Sequence, residues 1–445
     1  MSTAEGGWGF RRVLRLRDLV FYGIVLVQPI AAVGLFGVAQ QMSHGQMVTT
    51  ILIAMCAMML TAVSYGRMAS VYPSAGSAYT YVSRGLSAHL GFLAGWAMVL
   101  DYFVVPIVST TYAALTLTRM VPEIPYAAWV VILGVLTTGM NLRGIRSTAR
   151  WNAILLSGMC AVIAAFFVLS VRYLSHHGGS AALFSLKPLY DPASFHSREI
   201  LTATSFAALT YIGFDGVTTL AEEVENPRRN VLIATVLVCA ITGLFSSIQI
   251  YLAARVWPTC ESFPHLETAF LDVCGRAGGP WLFQAMAITL LVACVGSAVT
   301  GQVGAARLLY GMGRDGVLPR RLFGRLAGGN PVFNILLVGA VAVCGSLTLS
   351  YEHSAEVLNF GAFLAFMGVN AAVVKTFYAG QKHSRSLLRD LLAPVAAFVF
   401  CGAIWLSLPA PAKWIGGIWL GIGGLYLAGL TGGFRREPVP IEFAG

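Results

Sequence analysis

Long apolar runs, separated by short polar segments rich in arginine, set the pattern of this chain. Twelve of them approach the roughly 20 apolar residues that carry a helix across a bilayer. They cover residues 18–41, 46–66, 87–118, 126–142, 151–174, 199–221, 230–256, 279–312, 331–350, 355–379, 388–408 and 413–433. None shows the strict in–out alternation of a membrane barrel strand. The third and eighth are long enough to tilt or to extend beyond the bilayer. The pattern therefore predicts an all-α integral membrane protein with 12 transmembrane helices. Arg11, Arg12, Arg15 and Arg17 lead straight into the first run without a small-residue cleavage pattern, so no cleaved signal peptide is expected. A short helix lying across the outer face is expected within 257–278. Ser262-Phe-Pro-His-Leu-Glu267 offers its start signal, and Thr268 to Cys274 has helical apolar spacing.

Composition agrees with the pattern. Hydrophobic residues make up 57% of the 445 and charged residues 11%, against about 25% charged in a soluble domain. Mean hydropathy is +0.74. So few polar side chains could not cover a soluble surface of this size, which argues against a soluble enzyme, a disordered scaffold or a nucleic-acid binder. The net charge of +10 reflects where the basic residues lie. With twelve spans both termini share a side, and the segments on that side hold 22 of the 29 Lys and Arg. Basic residues concentrate in cytoplasmic loops, so both termini are predicted to be cytoplasmic. Trp129, Trp151, Trp257, Trp281 and Trp414 lie near predicted span ends, as interfacial anchors do. The eight cysteines show no metal-ligand spacing. Cys260 and Cys274 share the outer loop after the seventh span, where a disulfide between them is conceivable.

Two spans carry breaks. The first has Gln28-Pro29 near its centre, and the sixth reads Thr210-Tyr-Ile-Gly-Phe-Asp-Gly216. They lie five spans apart. Paired interruptions at matching places in two halves point to a transporter's binding site, because half-helix ends leave backbone groups free to bind a polar ligand. A simple proline kink, or a glycine-softened helix capped by Asp215, is the plainer account of each taken alone. Two acids lie within spans: Asp101 in the third and Asp215 in the sixth. A charge at mid-membrane costs about 2.5–3.5 kcal/mol on insertion scales, so each acid should face a cavity or a partner. No Lys or Arg sits deep in a span to neutralise them, which leaves an incoming cation or a proton. Structural, protonated roles for the two acids stay open.

These residues, taken with Tyr65-Gly-Arg-Met68, Tyr72-Pro-Ser-Ala-Gly-Ser-Ala-Tyr-Thr-Tyr81, Gly91-Phe-Leu-Ala-Gly-Trp96, Leu100-Asp-Tyr102, Glu222-Glu-Val-Glu-Asn-Pro-Arg-Arg229, Ala306-Arg307 and Gly313-Arg-Asp-Gly-Val-Leu-Pro319, form a recognisable series. In this order the chain resembles the amino acid–polyamine–organocation permeases, and within them the putrescine-importer-like branch, over about residues 15–430. The resemblance implies a 5+5 inverted repeat with discontinuous helices 1 and 6, plus two extra helices, working by alternating access. The expected layout is a cytoplasmic segment 1–17 and a transporter domain 18–433, followed by a cytoplasmic tail 434–445. Within the domain, repeat one covers about 18–174, repeat two about 199–379 and the extra helices about 388–433. By position it implies a substrate site of Val27, Gln28, Pro29 and Ile30 with Tyr211, Ile212, Gly213, Phe214 and Asp215, Asp101 and Tyr102 adding to it. Phe206, Tyr211 and Phe214 are expected as gates, with ordinary helix packing as the other reading of each. Ser297 and Thr300 could help a sodium site, although such hydroxyls more often bond their own backbone.

Two departures from the family pattern matter. Val27-Gln28-Pro29 stands where amino acid carriers have a glycine–small–glycine turn whose amides hold the substrate carboxylate. Proline has no N–H. Gly158 stands where many proton-coupled members carry a lysine. The expected function is import or exchange, by symport or antiport, of a polyamine such as putrescine or a related cationic amine; an amino acid at the same site is the alternative. The expected partners are the small amine or amino acid and the lipid bilayer, with no nucleic acid and no cofactor. The coupling ion, proton or sodium, and the choice of monomer or homodimer are left open. A membrane enzyme is disfavoured because all eight His lie at span ends or in loops, with no His-Glu-x-x-His. A channel is disfavoured because no filter-like repeat or charged ring is present.

Overall fold

The computed structural model describes residues 13–72, 77–143, 149–259, 262–314, 316–327, 329–380 and 386–438; side chains of 149–153, 178–182 and Glu222 are outside the description. Cys260, most of the N-terminal segment, half of the C-terminal tail and Pro73 to Gly76 of the loop motif lie outside the described residues. Among those described the chain is helical, and β-type pairing is confined to two isolated bridges.

The helices in chain order are α1 (Leu16–Val27), α2 (Phe36–Met42), α3 (Met47–Val71), α4 (Ser77–Gly85), α5 (Ala88–Met120), α6 (Tyr126–Leu142), α7 (Ala149–Leu183) and α8 (Ser197–Ala207). There follow α9 (Pro227–Val256), α10 (Ala269–Gly278), α11 (Pro280–Arg314), α12 (Arg320–Phe323), α13 (Val332–Thr348), α14 (Tyr351–Val373), α15 (Ala393–Leu406) and α16 (Ala410–Leu430). Eight helical stretches are long and apolar enough to cross a membrane, and α6 and α13 are shorter apolar helices. Large apolar side chains point outward along the helices, among them Val135, Val168 and, on α16, Ile418 and Leu425, each at least 60% exposed. A soluble monomer rarely exposes apolar area on this scale; lipid accounts for it. The interior holds Gln40, Thr61, Gln249, Gln302, Asn359 and Asn370, all buried, so the bundle carries its polar side chains inside.

Both expected interruptions are present. α1 stops at Val27, and Gln28 has φ 65° and ψ 129°. Pro29 cannot donate a helical hydrogen bond and pushes the residue before it out of helical geometry. The chain then turns through 28–32 before a short 3₁₀ turn, Val33–Leu35, leads into α2. The second break follows α8 and one 3₁₀ turn, Ala208–Tyr211. Ile212 leaves helical geometry at ψ 128°, and Gly213 sits at φ 110°, a region open to glycine and strained for other residues. The chain resumes as a ten-residue 3₁₀ helix, Phe214–Glu223. Thr218 and Thr219 donate to the carbonyls three residues back, Asp215 and Gly216, each at 2.7 Å, which suits the tighter 3₁₀ winding. The two breaks face each other: a Cβ on Gly213 would lie 3.6 Å from the Leu26 carbonyl oxygen.

Elsewhere, α3 packs along α9, and α5 lies between α11 and α14. On the side carrying residue 13, here the near side, Val13 and Leu14 donate to the Glu223 carbonyl at 2.9 and 3.0 Å, and Glu225 N–H donates to Leu14 at 2.8 Å. That pairing ties the start of α1 to the end of the 3₁₀ segment. On the far side α10 forms within the loop expected to hold a helix. Phe263 and Phe270 meet Phe36 of α2 edge-on, with ring centroids at 5.5 and 5.6 Å. Arg119 of α5 anchors α10 through Asp272, at 2.6 and 3.2 Å, and through Thr268 at 2.9 Å. Cys274 is buried as a free thiol. Trp96 and Trp419 join α5 to α16 by exchanging bonds: each indole N–H donates to the other's carbonyl, at 2.9 and 2.8 Å.

Candidate functional site

One cavity of about 1040 Å³ runs between the two breaks. Its walls come from α1 and the turn after it, α5, the 212–223 segment, α11 and the start of α14. Ten of the residues expected at the site line it: Val27, Gln28, Ile30, Asp101, Tyr102, Ile212, Gly213, Asp215, Ser297 and Thr300. Four do not. Pro29 sits behind the wall, its carbonyl accepting from the buried Gln249 amide at 2.9 Å. Phe206, Tyr211 and Phe214 are fully buried in packing and do not border the cavity. Tyr211 donates its hydroxyl to the Ile51 carbonyl at 2.9 Å. Phe214 packs edge-on to Tyr65 and against Phe366, with centroids at 5.6 and 5.3 Å. Tyr211 and Phe214 thus pack into the bundle, while Phe206 lies edge-on to Tyr351 of the cavity wall. The rings of Tyr211 and Phe214, on either side of the Gly213 turn, lie toward α3 and α14, an orientation that an all-apolar sequence does not encode.

Gln28 reaches across the break and donates to the Ser297 hydroxyl on α11 at 3.1 Å. Thr300 borders the cavity but donates to the carbonyls of its own helix, Gly296 at 2.9 Å and Ser297 at 3.2 Å. Both hydroxyls of the expected ion site are thus engaged with protein groups. Asp101 holds one carboxylate oxygen buried without a hydrogen-bond partner among the described residues. Asp215 lies in the first turn of the 3₁₀ segment, two residues after Gly213. No ion pair joins either acid to a basic side chain among the described residues.

Several lining residues had no signal in the sequence. Tyr112 and Tyr351 close the far end, their ring centroids 5.1 Å apart, with Phe206 edge-on to Tyr351 at 6.2 Å. Gly34 leaves room for them: a Cβ there would lie 3.2 Å from the Tyr351 hydroxyl and 3.3 Å from the Tyr112 ring. Toward the near side the lining adds Tyr22, Glu223, Arg307 and Arg314. In sequence Arg307 lies at the end of the eighth span and Arg314 just past it, and both counted only among the basic residues of one side. α5 and α11 run antiparallel, and Gly304 abuts Tyr102, so Arg307, one turn further on, enters the same cavity as Asp101. The contact pattern between crossing helices could have found it; the spacing along one helix could not.

A helical membrane bundle with two facing breaks and a polar cavity between them defines a transporter; its chemistry is binding and release. The amino acid permease family matches residues 23–409, and the chain belongs to that family. It is 31% identical over 440 residues to the low-affinity putrescine importer PlaP of Escherichia coli K12, covering 97% of this chain and 96% of that protein. It is 25% identical over 454 residues to the branched-chain amino acid permease BcaP of Lactococcus lactis, covering 93% of each. Against the vacuolar cationic amino acid transporter 4 of Arabidopsis thaliana it is 27% identical over 401 residues, with 84% of this chain and 64% of that protein covered. The chain is a multi-pass membrane transporter of this family and not an enzyme.

Proposed function

We propose that this protein is a secondary transporter that imports or exchanges putrescine or a related cationic amine. The observation that carries the reading is the pair of acids, Asp101 and Asp215, on the wall of a cavity bounded by two helix breaks. An ammonium group meets a carboxylate there in a low-dielectric space, where the attraction is stronger than in water. Gln28 supplies a neutral donor and acceptor, and Pro29 supplies no N–H for a substrate carboxylate. The likeness to a putrescine importer over 97% of the chain supports the same substrate class.

In this reading α1 with α2, and α8 with the 212–223 segment, are the discontinuous first and sixth of twelve spans. Residues 18–174 and 199–379 form the two inverted repeats. The near side is the cytoplasm, by the distribution of Lys and Arg, and the membrane is the plasma membrane, a bacterial inner membrane by likeness to the importer. The far end is closed by Tyr112, Tyr351 and Phe206, so the cavity faces the cytoplasm. Alternating access would open that end and close the near one.

One observation favours the amino acid alternative: Arg307 borders the cavity and could receive a carboxylate. Counterflow in proteoliposomes separates the two. Vesicles loaded with unlabelled putrescine should accumulate labelled putrescine, and ornithine should compete no better than its decarboxylated product. Exchange confined to α-amino acids, lost on esterification, would assign the site to amino acids and Arg307 to their carboxylate.

A further inference from the structure

Glu356 is the buried acid that the cavity does not use. It lies in the second turn of α14 and is 1% exposed, and neither carboxylate oxygen has a hydrogen-bond partner among the described residues. It does not line the cavity. Its stretch of α14 is clasped to α8 at two points. Tyr351 meets Phe206, and the Asn359 amide donates to the Ser205 carbonyl at 2.6 Å. Glu356 therefore lies on the stretch of α14 between the two points that hold it to α8.

Among the described residues no ion pair joins it to a basic side chain. α14 is packed by α3, α4, α5, α8, the 208–211 turn, α15 and α16. Their basic groups are engaged elsewhere or exposed, and the buried Tyr65 and Tyr81 hydroxyls of α3 and α4, unpartnered among the described residues, are neutral. Arg67 of α3 pairs with Asp390 at 2.5 Å, and Arg119 of α5 pairs with Asp272. His89 of α5 bonds the Arg436 carbonyl, and Lys413 of α16 donates to the Leu406 carbonyl. Glu199 of α8 pairs with His44. Arg84 of α4 and Arg198 of α8 are exposed. Asp101 lines the cavity, Tyr211 bonds the Ile51 carbonyl, and Cys401 of α15 lies 3.4 Å from the Thr61 hydroxyl. On α14 itself, His353 bonds the Ser350 hydroxyl, and Glu352, one turn from Glu356, is a second acid.

We propose that Glu356 is a proton-binding site that operates the outer closure: it holds a proton while Tyr351 and Phe206 are together and gives it up when they part and water enters. The physical reason is desolvation. A carboxylate enclosed without a donor or a cation is strongly disfavoured, and protonation removes that penalty. When the closure opens, hydration restores the ionised form. Protons outside thereby favour the closed face, by up to about tenfold in the open–closed ratio for each unit of external pH across the titration window. The proposal rests on the orientation and alternating access argued above.

The test compares wild type, Glu356→Gln and Glu356→Asp. Proteoliposomes loaded with putrescine take up labelled putrescine while external pH is stepped from about 5 to about 8. Wild type should change its counterflow rate with external pH. Glu356→Gln, shaped like the protonated acid, should hold the acid-limit rate throughout, and Glu356→Asp should restore a pH response. A Glu356→Gln profile that follows wild type overturns the proposal, as does a wild type indifferent to pH. Failure of Glu356→Gln to fold also overturns it, because glutamine carries the charge and size of the neutral acid. Absence of putrescine exchange at any pH would count against the polyamine reading alone. A substrate-free arm then decides the proton site. Binding this proton stabilises the closed fold of wild type but has no counterpart in Glu356→Gln, so raising the pH should lower the melting temperature of wild type relative to Glu356→Gln. A gap that stays constant with pH overturns the proposal; Asp101 and Asp215 titrate in both proteins and cancel.

Discussion

The two helix breaks reach the same cavity by different routes. At the first, a proline removes an N–H and Gln28 takes the strained conformation, yet the freed groups find protein partners: Ser297 for the Gln28 amide and Gln249 for the Pro29 carbonyl. At the second, a glycine supplies the turn by its own freedom, and the acid that follows is tied to no side chain by an ion pair. One break is braced by glutamines, the other hinged on one residue without a side chain. The comparison teaches that the same interruption can be built for holding shape or for meeting a ligand. Asp215 at the hinged break is then the group most available to a cation.

Four substitutions test this contrast, from the largest effect to the smallest. Asp215→Asn should cut putrescine transport on the order of tenfold to a hundredfold, since a hydrogen bond to a charged group contributes about 1.5–3 kcal/mol, while exchange of a neutral amino acid falls much less. Equal falls in labelled uptake for both would make Asp215 a structural residue of the 3₁₀ segment. Gly213→Ala should cost about 2 kcal/mol, because alanine at φ 110° is strained although a Cβ there would meet Leu26 only at ordinary contact distance; thermal unfolding of the purified protein reads the loss. A wild-type melting temperature would show that the hinge relaxes without penalty. The bracing at the first break should appear as a coupling of about 1 kcal/mol between Gln28→Ala and Ser297→Ala in a double-mutant cycle of stability, and additive effects would mean the brace contributes nothing. Smallest, Gln28→Gly should be more stable than Gln28→Ala by about 0.5 kcal/mol, as glycine relieves the positive φ. The reverse order would place the strain elsewhere.

Both breaks were legible in the sequence because proline and glycine act on the local backbone, whatever packs around them. Asp101 and Asp215 were legible because an acid in an apolar run has few places to go. The rotation of each helix was not legible. In helices apolar on every face, periodicity does not say whether Phe214 turns to the cavity or to Tyr65. Tyr112, Tyr351 and Gly34 meet only through the crossing of α5, α14 and the first break, from positions far apart in the chain. Arg307, at the end of the eighth span, counted only toward the charge of one side, because the sequence does not show which face of α11 meets α5. The 3₁₀ winding of 214–223 likewise follows from packing against α1 and α9, and the bare sequence reads equally well as an α-helix.

The exchanged tryptophan bonds between α5 and α16 bear on the order of synthesis. Trp96 lies among the first hundred residues, yet the carbonyl that satisfies its indole belongs to Trp419, 323 positions later. Until the ribosome has made that last stretch, the third span has an indole N–H with no such partner and a seam open to lipid. A nascent chain therefore completes its early scaffold only near the end of translation. Chains truncated before residue 419 should insert their spans and still be recognised as unfinished by the membrane's quality-control proteases.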